Sequence, residues 1–350
     1  MLLDNTRFAY ATGRIRVIER LLIDRSGYNR MIDAATVKEA AEVLSEAGYA
    51  VAGGTDIFAG KDPRRLGDSF GAHEIENLLE AERRKTGELL MEVSPDEYIA
   101  NYFLIKNDYH NIKVILKAEF SGAGTYDPAW LSVPGVYEAG KLAGIITGRL
   151  YGDMPEIMRK AVSQALDIFG RTGDPQLSDI VLDSARFAQM KEYAAASGDT
   201  FLSGLAVVMI DMSNIKSALR CIKLGKAADF AERVLIRGGS MDISFFNALR
   251  DAEPQIIAEQ LEGTRYGGII SGGIRSYLDE GKLISLEKAA DSCIIQYADK
   301  AKYVAIGPEP VIRYFVVKEY EIMNAGIILA GKTGGIPGNV IRERIRDAHV

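Results

Sequence analysis

One short phrase recurs along this chain and limits what the chain can fold into. The segment Asn111–Ala118 reads NIKVILKA, and the segment Asn214–Cys221 reads NIKSALRC. In each copy an aspartate, Asp108 or Asp211, stands three positions before the asparagine. Because self-similarity at a fixed period is typical of repeat architectures, the phrase predicts a body made of duplicated units.

Looser copies extend this pattern toward both ends of the chain. Arg14–Ile18 resembles the phrase without the acid, and Asn324 has Glu321 three positions before it. A turn of small residues follows each phrase and leads into a new amphipathic stretch, at residues 34–36, 133–135, 238–240 and 334–337. The pattern predicts three units with approximate threefold pseudosymmetry, at residues 1–107, 108–210 and 211–323. Residues 324–350 are a trailing half unit, which we expect to complete the first unit and to bring the two ends together.

Helix signals dominate between these phrases. Thr36 and Glu39 form a capping box, and apolar residues recur behind it at helical spacing. Ser94–Glu97 and Asp153–Glu156 suggest further helix starts with proline at the first helical position. Strand signals are weak, so the sequence predicts an all-α fold. Two glycine-rich stretches, Ala52–Ser69 and Gly263–Gly273, are predicted to be loops.

Composition excludes several functional classes. The formal net charge is −6, and no stretch collects lysine and arginine as a nucleic-acid site would. Three histidines and two separated cysteines, Cys221 and Cys293, offer no metal-ligand spacing and fit a reducing compartment. We expect no signal peptide. The longest apolar run, Phe201–Ile210, is too short for a bilayer, which needs roughly 20 residues, so we expect membrane contact only through another protein.

One segment resembles a nucleotide-binding motif. Gly326–Thr333 reads GIILAGKT and matches the pattern of a phosphate-binding loop. Such a loop follows a buried strand, whereas Tyr314–Met323 reads as helix, and the four middle residues of the motif are apolar. We therefore interpret the segment as the end of a helix, which Gly331 terminates while Lys332 complements its C-terminal dipole.

Other polar residues form no catalytic constellation. Ser203 lacks the context of a catalytic nucleophile, and the side chains of Asp108 and His110 point apart if both lie on one helix. We predict no catalytic residue, no cofactor-binding residue, no cofactor and no metal ligand. Two alternatives stay open: a helical-repeat adaptor in an unrelated complex, and a nucleotide-hydrolysing enzyme that would depend on Lys332.

Four separated phrases, in order, resemble one protein family. They are Phe8–Arg16, Asp108–Lys113, Asn214–Arg220 and the C-terminal stretch Gly307–Arg344. Together they resemble the C subunit of archaeal- and bacterial-type V/A-ATPases, whose eukaryotic counterpart is the d subunit. The resemblance covers the chain from end to end. Two departures are Gly13, which is a poor helix former, and Thr333, where the family usually has an apolar residue.

The resemblance implies an all-helical, funnel-like protein of three similar domains. It would be a peripheral protein that caps the membrane-embedded rotor (proteolipid) ring on the cytoplasmic side. It would accept the tip of the central shaft, which the D and F subunits form, and transmit torque between ATP turnover and H⁺ or Na⁺ translocation. It would have no active site and no cofactor. We expect the glycine-rich loops to make these contacts, because loops commonly carry binding function.

Overall fold

The computed structural model describes residues 5–49 and 71–347. Within these residues every regular element is a helix and no β-strand occurs, so the predicted all-α class is confirmed. The α-helices are α1 Ala9–Ile18, α2 Arg25–Asp33, α3 Val37–Glu46, α4 Ala72–Val93, α5 Glu97–Phe120, α6 Ala139–Thr147, α7 Glu156–Thr172, α8 Pro175–Ser197, α9 Thr200–Lys223, α10 Ala228–Val234, α11 Ile243–Leu249, α12 Pro254–Glu262, α13 Gly267–Glu280, α14 Leu283–Asp299, α15 Pro308–Thr333 and α16 Gly338–Arg344. Short 3₁₀ helices occur at Asn5–Phe8, Glu19–Leu21, Pro128–Trp130 and Tyr151–Asp153.

Side-chain caps explain where several helices begin. The Thr36 hydroxyl accepts a hydrogen bond from the amide of Glu39 (3.1 Å), as the capping box predicted. The two prolines lie earlier than predicted. Asp96 caps α5, so Pro95 lies outside that helix, and Pro155 occupies the N-cap position of α7.

The described residues form two compact units. We call residues 94–297 the central unit, and residues 5–49, 71–93 and 298–347 the terminal unit. This division follows the density of contacts within each unit. The three-unit division at residues 1–107, 108–210 and 211–323, with 324–350 completing the first, stays a prediction.

Long helices that lie side by side build the central unit. Helix α5 packs along α8 and α6, and α8 also packs on α7 and α9. Inside the α5–α8 contact the Tyr109 hydroxyl donates a hydrogen bond to Gln189 Oε1 (2.9 Å). In the part of the chain that the structure describes, α9 is the one helix long and apolar enough to cross a membrane, but 61% of its apolar window is buried in the fold. Its hydropathy is therefore that of a core helix.

The terminal unit combines the two ends of the chain. Helix α15 packs against α1, α2, α3, α4 and α16. The buried core draws on both ends, with Tyr28, Met31 and Leu44 from one and Ile328, Leu329 and Ile341 from the other. The C-terminal helices therefore pack against the N-terminal helices, as the repeat pattern predicted.

The glycine-rich stretch Gly263–Gly273 is mostly helix, so its prediction as a loop was wrong. Helix α13 begins at Gly267 and continues through Gly273. A Cβ atom on Gly273 would lie 2.6 Å from Ala289 Cβ and 2.7 Å from the Ser285 carbonyl oxygen. The missing side chain lets α13 approach α14 closely, and this close contact explains why residue 273 is a glycine. The other predicted loop, Ala52–Ser69, lies outside the described residues.

Two glycine substitutions should have opposite effects on stability. Gly13 is exposed on α1, and an added Cβ would meet nothing within 4 Å. We expect Gly13→Ala to raise the free energy of unfolding by about 0.5–1 kcal/mol, because alanine loses less backbone entropy in a helix. Gly273→Ala should lower it by about 1–3 kcal/mol through overpacking. Urea unfolding of the two variants tests this, and a stabilised Gly273→Ala would contradict the packing argument.

Candidate functional site

The repeated phrase places pairs of buried polar side chains on three long helices. We call each pair, an acid with an asparagine three positions later, an acid–asparagine clamp. The clamps are Asp108 with Asn111 on α5, Asp211 with Asn214 on α9, and Glu321 with Asn324 on α15. All six side chains are fully buried, so their polar atoms need partners inside the protein.

Each asparagine binds the backbone of one residue further along the chain. Its Nδ2 donates to that residue's carbonyl, and its Oδ1 accepts from the same residue's amide. The two distances are 3.0 and 2.8 Å for Asn111 with Ser132, 2.8 and 2.8 Å for Asn214 with Ile236, and 2.9 and 2.8 Å for Asn324 with Arg346. The partner lies 21, 22 and 22 residues ahead. The amide thus satisfies both backbone groups of a residue outside regular structure.

In each of the first two clamps, the aspartate binds the same loop as the asparagine of that clamp. Asp108 accepts hydrogen bonds from the amides of Val136 (2.9 Å) and Tyr137 (3.2 Å). Asp211 accepts from the amide and the hydroxyl of Ser240, at 2.8 and 2.6 Å. Each loop is therefore fixed to its own helix at two points, one for the asparagine and one for the acid.

A glycine lies against each of these aspartates. A Cβ atom on Gly135 would overlap the Asp108 carboxylate, and one on Gly239 would overlap that of Asp211. The turns of small residues that follow the phrase in the sequence thus have a physical cause, because the loop backbone must come very close to the acid.

The third clamp has a different acid environment. Glu321 accepts from the backbone amide of Ile23 (2.6 Å), the hydroxyl of Tyr49 (3.0 Å) and the ammonium of Lys318 (2.6 Å). Lys318 also pairs with the buried Glu82 on α4 at 2.8 Å. This clamp therefore holds the N-terminal segment of the terminal unit to α15. Burial, and after it the charge of Glu321, raises the pKa of Tyr49.

The aspartates of the first two clamps differ in their neighbouring charges. Asp211 Oδ2 accepts from the Tyr266 hydroxyl (2.5 Å) and lies 3.4 Å from Arg265 Nη2. Among the described residues, Asp108 accepts hydrogen bonds only from the two backbone amides of its loop. Burial raises the pKa of Asp108 to about 7, although both amide hydrogen bonds act to lower it.

The segment that resembles a phosphate loop is helical, as predicted. Gly326–Thr333 forms the last turns of α15, so its amides are directed along the helix. The prediction that Gly331 ends this helix was wrong, whereas Lys332 does lie in the last turn of α15. Gly331 does not end the helix, which continues to Thr333, and its bare backbone lies against Ile341 of α16. Lys332 Nζ donates to the carbonyls of Ile32 (3.0 Å) and Ala34 (2.5 Å), so its hydrogen bonds cap the end of α2.

The remaining candidates for chemistry are possible metal ligands, the two cysteines and one cavity. Across residues 5–49 and 71–347, no cluster of three or more His, Cys, Asp or Glu side chains has the arrangement to hold a metal ion. Cys221 and Cys293 are free and buried, and burial raises the pKa of Cys293 to about 12, which disfavours a reactive thiolate. A cavity of about 330 Å³ in the terminal unit is lined by Arg14, Glu92 and other side chains, and these two pair with each other.

The sequence model of the family described as ATP synthase (C/AC39) subunit matches residues 11–344. The chain belongs to this family. The C subunit of the V-type sodium ATPase of Enterococcus hirae is 23% identical over 96% of this chain and 97% of its own length. The C subunit of the A-type ATP synthase of Methanocaldococcus jannaschii is 23% identical over 98% and 87%, and that of Haloferax volcanii is 24% identical over 71% and 73%.

Within this family member, sequence reasoning found the phrase but not its role. The acids and asparagines were identified as marks of a repeat, and their partners Ser132, Ile236 and Arg346 were not predicted. The nearly constant spacing to these partners is a signal that was present in the sequence. Nothing in the types of the three partner residues marks them, because only their backbone groups are bound.

Loss of one clamp asparagine should cost much of the stability. Asn214→Leu keeps the approximate shape but leaves the amide and carbonyl of the buried Ile236 without a partner. We expect the free energy of unfolding to fall by about 2–4 kcal/mol, since each unsatisfied buried group costs about 1–3 kcal/mol. Urea unfolding measures the change. The control Asn77→Leu, at an exposed position on α4, should change stability by less than about 0.5 kcal/mol. Equal effects of the two variants would contradict a clamp.

Lys332→Ala separates a structural lysine from a nucleotide-binding one. Because Lys332 binds two carbonyls at the end of α2, its loss should lower the free energy of unfolding by about 1 kcal/mol. Magnesium ATP should shift the thermal midpoint of neither the parent chain nor the variant. Lys38→Ala, on the exposed face of α3, is the control. An ATP-dependent stabilisation of the parent chain that Lys332→Ala abolishes would instead support a phosphate loop.

Proposed function

We propose that this chain is a non-catalytic component of the central stalk in a rotary V/A-type ATPase. It links the D and F subunits of the shaft to the membrane rotor ring and transmits torque between ATP turnover and H⁺ or Na⁺ translocation. The observation that carries this proposal is the family match over residues 11–344. Relatives named as the C subunits of a V-type sodium ATPase and of an A-type ATP synthase, which align over nearly the whole chain, support it.

A mechanical role without catalysis agrees with how the polar residues are used. The buried acids of the clamps bind amides, hydroxyls and cations of the fold itself. The segment Gly326–Thr333 is helical, and the pKa of both cysteine thiols is raised. These side chains stabilise loops and helix ends, as a body that carries load requires.

Stiffness is the physical property that torque transmission needs. The clamps fix segments of otherwise irregular backbone to long helices at several points. In the terminal unit, the ion pair of Lys318 with Glu82 joins α15 to α4. Lys318 also pairs with Glu321 on its own helix, and Glu321 binds the N-terminal segment. Buried ion pairs of this kind are geometrically demanding, so they favour one packing over its alternatives.

We further propose that the body is a funnel of three similar domains. Their boundaries are residues 1–107, 108–210 and 211–323, with residues 324–350 completing the first. In all three clamps the asparagine binds both backbone groups of a residue 21 or 22 positions ahead, and this shared geometry supports a duplicated unit. The glycine-rich stretch at Gly263–Gly273 no longer serves as a contact loop in this proposal, because most of it is helix.

The proposed location is the cytoplasmic face of the membrane, where the chain is peripheral. It would meet the bilayer only through the proteolipid ring. The burial of most of the apolar window of α9 inside the fold supports this, because a helix used in the core is not available to lipid.

Co-purification tests the proposal directly. The chain is tagged in its native host, the membranes are solubilised gently, and the recovered proteins are identified by mass spectrometry. We expect the catalytic A and B subunits, the D and F subunits of the shaft, and the ring. Recovery of the chain alone, or with unrelated soluble proteins, would contradict the motor role and leave a helical adaptor.

A second arm of the experiment connects the proposal to the structure. The Asn214→Leu variant should co-purify less of the complex than the Asn77→Leu control, because its loop no longer has a fixed position. Intact recovery of the complex with a destabilised Asn214→Leu chain would show that this loop is not needed for assembly.

A further inference from the structure

The loop between α5 and α6 lies along α5 and is held by side chains of that helix. We call residues 130–138 the Asp108 loop. Besides its bonds to Asp108 and Asn111, it receives a hydrogen bond from Asn107 Nδ2 at the Pro134 carbonyl (2.7 Å). A ring nitrogen of His110 lies 3.0 Å from the Trp130 carbonyl. The loop is therefore attached through polar side chains on one helix.

The equivalent loop after α9, residues 236–241, has a stronger attachment to its acid. We call it the Asp211 loop. Here the Asp211 carboxylate accepts hydrogen bonds from the hydroxyl groups of Ser240 and Tyr266 and pairs with the guanidinium of Arg265. Both hydroxyl donors and the cation compensate the charge of the buried acid.

No such compensation reaches Asp108. In the described part of the chain no lysine, arginine or histidine forms an ion pair with it, and its hydrogen bonds come from two backbone amides. The phenols of Tyr109 on α5, Tyr137 on the loop and Tyr193 on α8 lie near it, and their pKa values are raised first by burial and also by the charge of Asp108. The same phenols feel the carboxylates of Glu192 on α8, Asp153 and Glu97. His110 is the next titratable neighbour on α5, and the charged residues at the start of α6, Glu138 and Lys141, are exposed.

Closing this loop therefore buries a carboxyl group whose charge has no counterion. Burial raises the pKa of Asp108 from an ordinary value of 3.8 to about 7. A group with a raised pKa in the closed state stabilises that state fully below its ordinary pKa. This stabilisation is lost as the pH rises through the raised value. Opening of the loop lets water solvate the carboxylate and so restores the ordinary pKa.

We propose that the Asp108 loop is a pH-dependent latch, which stays closed over the protonated Asp108 carboxyl in mildly acidic solution and opens more often once that carboxyl ionises. The Asp211 loop, whose acid has a cation and two hydroxyl donors, stays closed over the same pH range. The proposal rests on the difference between two clamps of the same chain and is independent of the motor role.

The size of the effect follows from the two pKa values. Between pH 4 and pH 8, a carboxyl whose pKa changes from about 7 in the closed state to 3.8 in the open state increases the opening equilibrium constant by roughly five hundred-fold. Most of this change falls between pH 5 and pH 7.

Hydrogen–deuterium exchange of the purified full chain tests the latch. Exchange is followed by mass spectrometry from pH 5 to pH 8, with rates corrected for the intrinsic pH dependence of amide exchange. We expect the protection of peptides with Val136 and Tyr137 to fall as the pH rises from 5 to 7 and to level off above the pKa of about 7. Peptides with Ser240 and Met241 should keep their protection. Equal pH responses of the two loops, or no response at the Asp108 loop, would overturn the proposal.

Two variants assign the response to one side chain. Asp108→Asn cannot ionise, so the corrected exchange rate of its loop should no longer depend on pH. His110→Gln should keep the response of the parent chain. A response that persists in Asp108→Asn, or disappears in His110→Gln, would overturn the proposal.

A second readout needs no variant. Trp130 is the only tryptophan of the chain and lies on the Asp108 loop, where its side chain is 61% exposed. Its fluorescence anisotropy should fall between pH 5 and pH 8 as the loop gains mobility. Constant anisotropy over this range would contradict the opening of the loop.

Discussion

A buried polar group must find its partners inside the protein, and this requirement organises the fold. Six acid and amide side chains on α5, α9 and α15 are shielded from water, and each is satisfied by binding groups from loops, the N-terminal segment or neighbouring side chains. An unpaired group at any of these positions would cost about 1–3 kcal/mol, a large part of an ordinary domain's stability. The helices therefore dictate where their connecting segments lie, although those segments have no regular structure of their own.

The same requirement explains residues whose roles are not evident from their chemistry. Gly135 and Gly239 are bare so that backbone can approach a carboxylate. Lys332, in a segment that matches a nucleotide motif, supplies donors to the carbonyls at the end of α2. The motif match singled out Lys332 but did not show which groups its ammonium binds, because a motif does not say which backbone its cation faces.

Local patterns predicted the parts of the structure that local physics decides. The all-α class, the capping box at Thr36 and the helical state of Gly326–Thr333 follow from neighbouring residues. The partners of the clamps and of Lys332 are distant in sequence, and one chain alone does not show them. The glycines of Gly263–Gly273 were misinterpreted for the same reason. A glycine needed for a turn and one needed for helix contact are identical in sequence, and only the neighbouring helix distinguishes them.

The third clamp has a consequence for synthesis on the ribosome. Glu321 accepts hydrogen bonds from the Ile23 amide and the Tyr49 hydroxyl. Two donors near the start of the chain therefore have no acceptor until a residue near its end has been synthesised. Residues 94–297 form contacts mainly among themselves and emerge before that acceptor exists. Translation adds about 5–20 residues per second, so α1–α4 spend much of that time with their apolar faces uncovered. The first helices to be made are thus among the last to be packed, and it is during this interval that they need protection from aggregation.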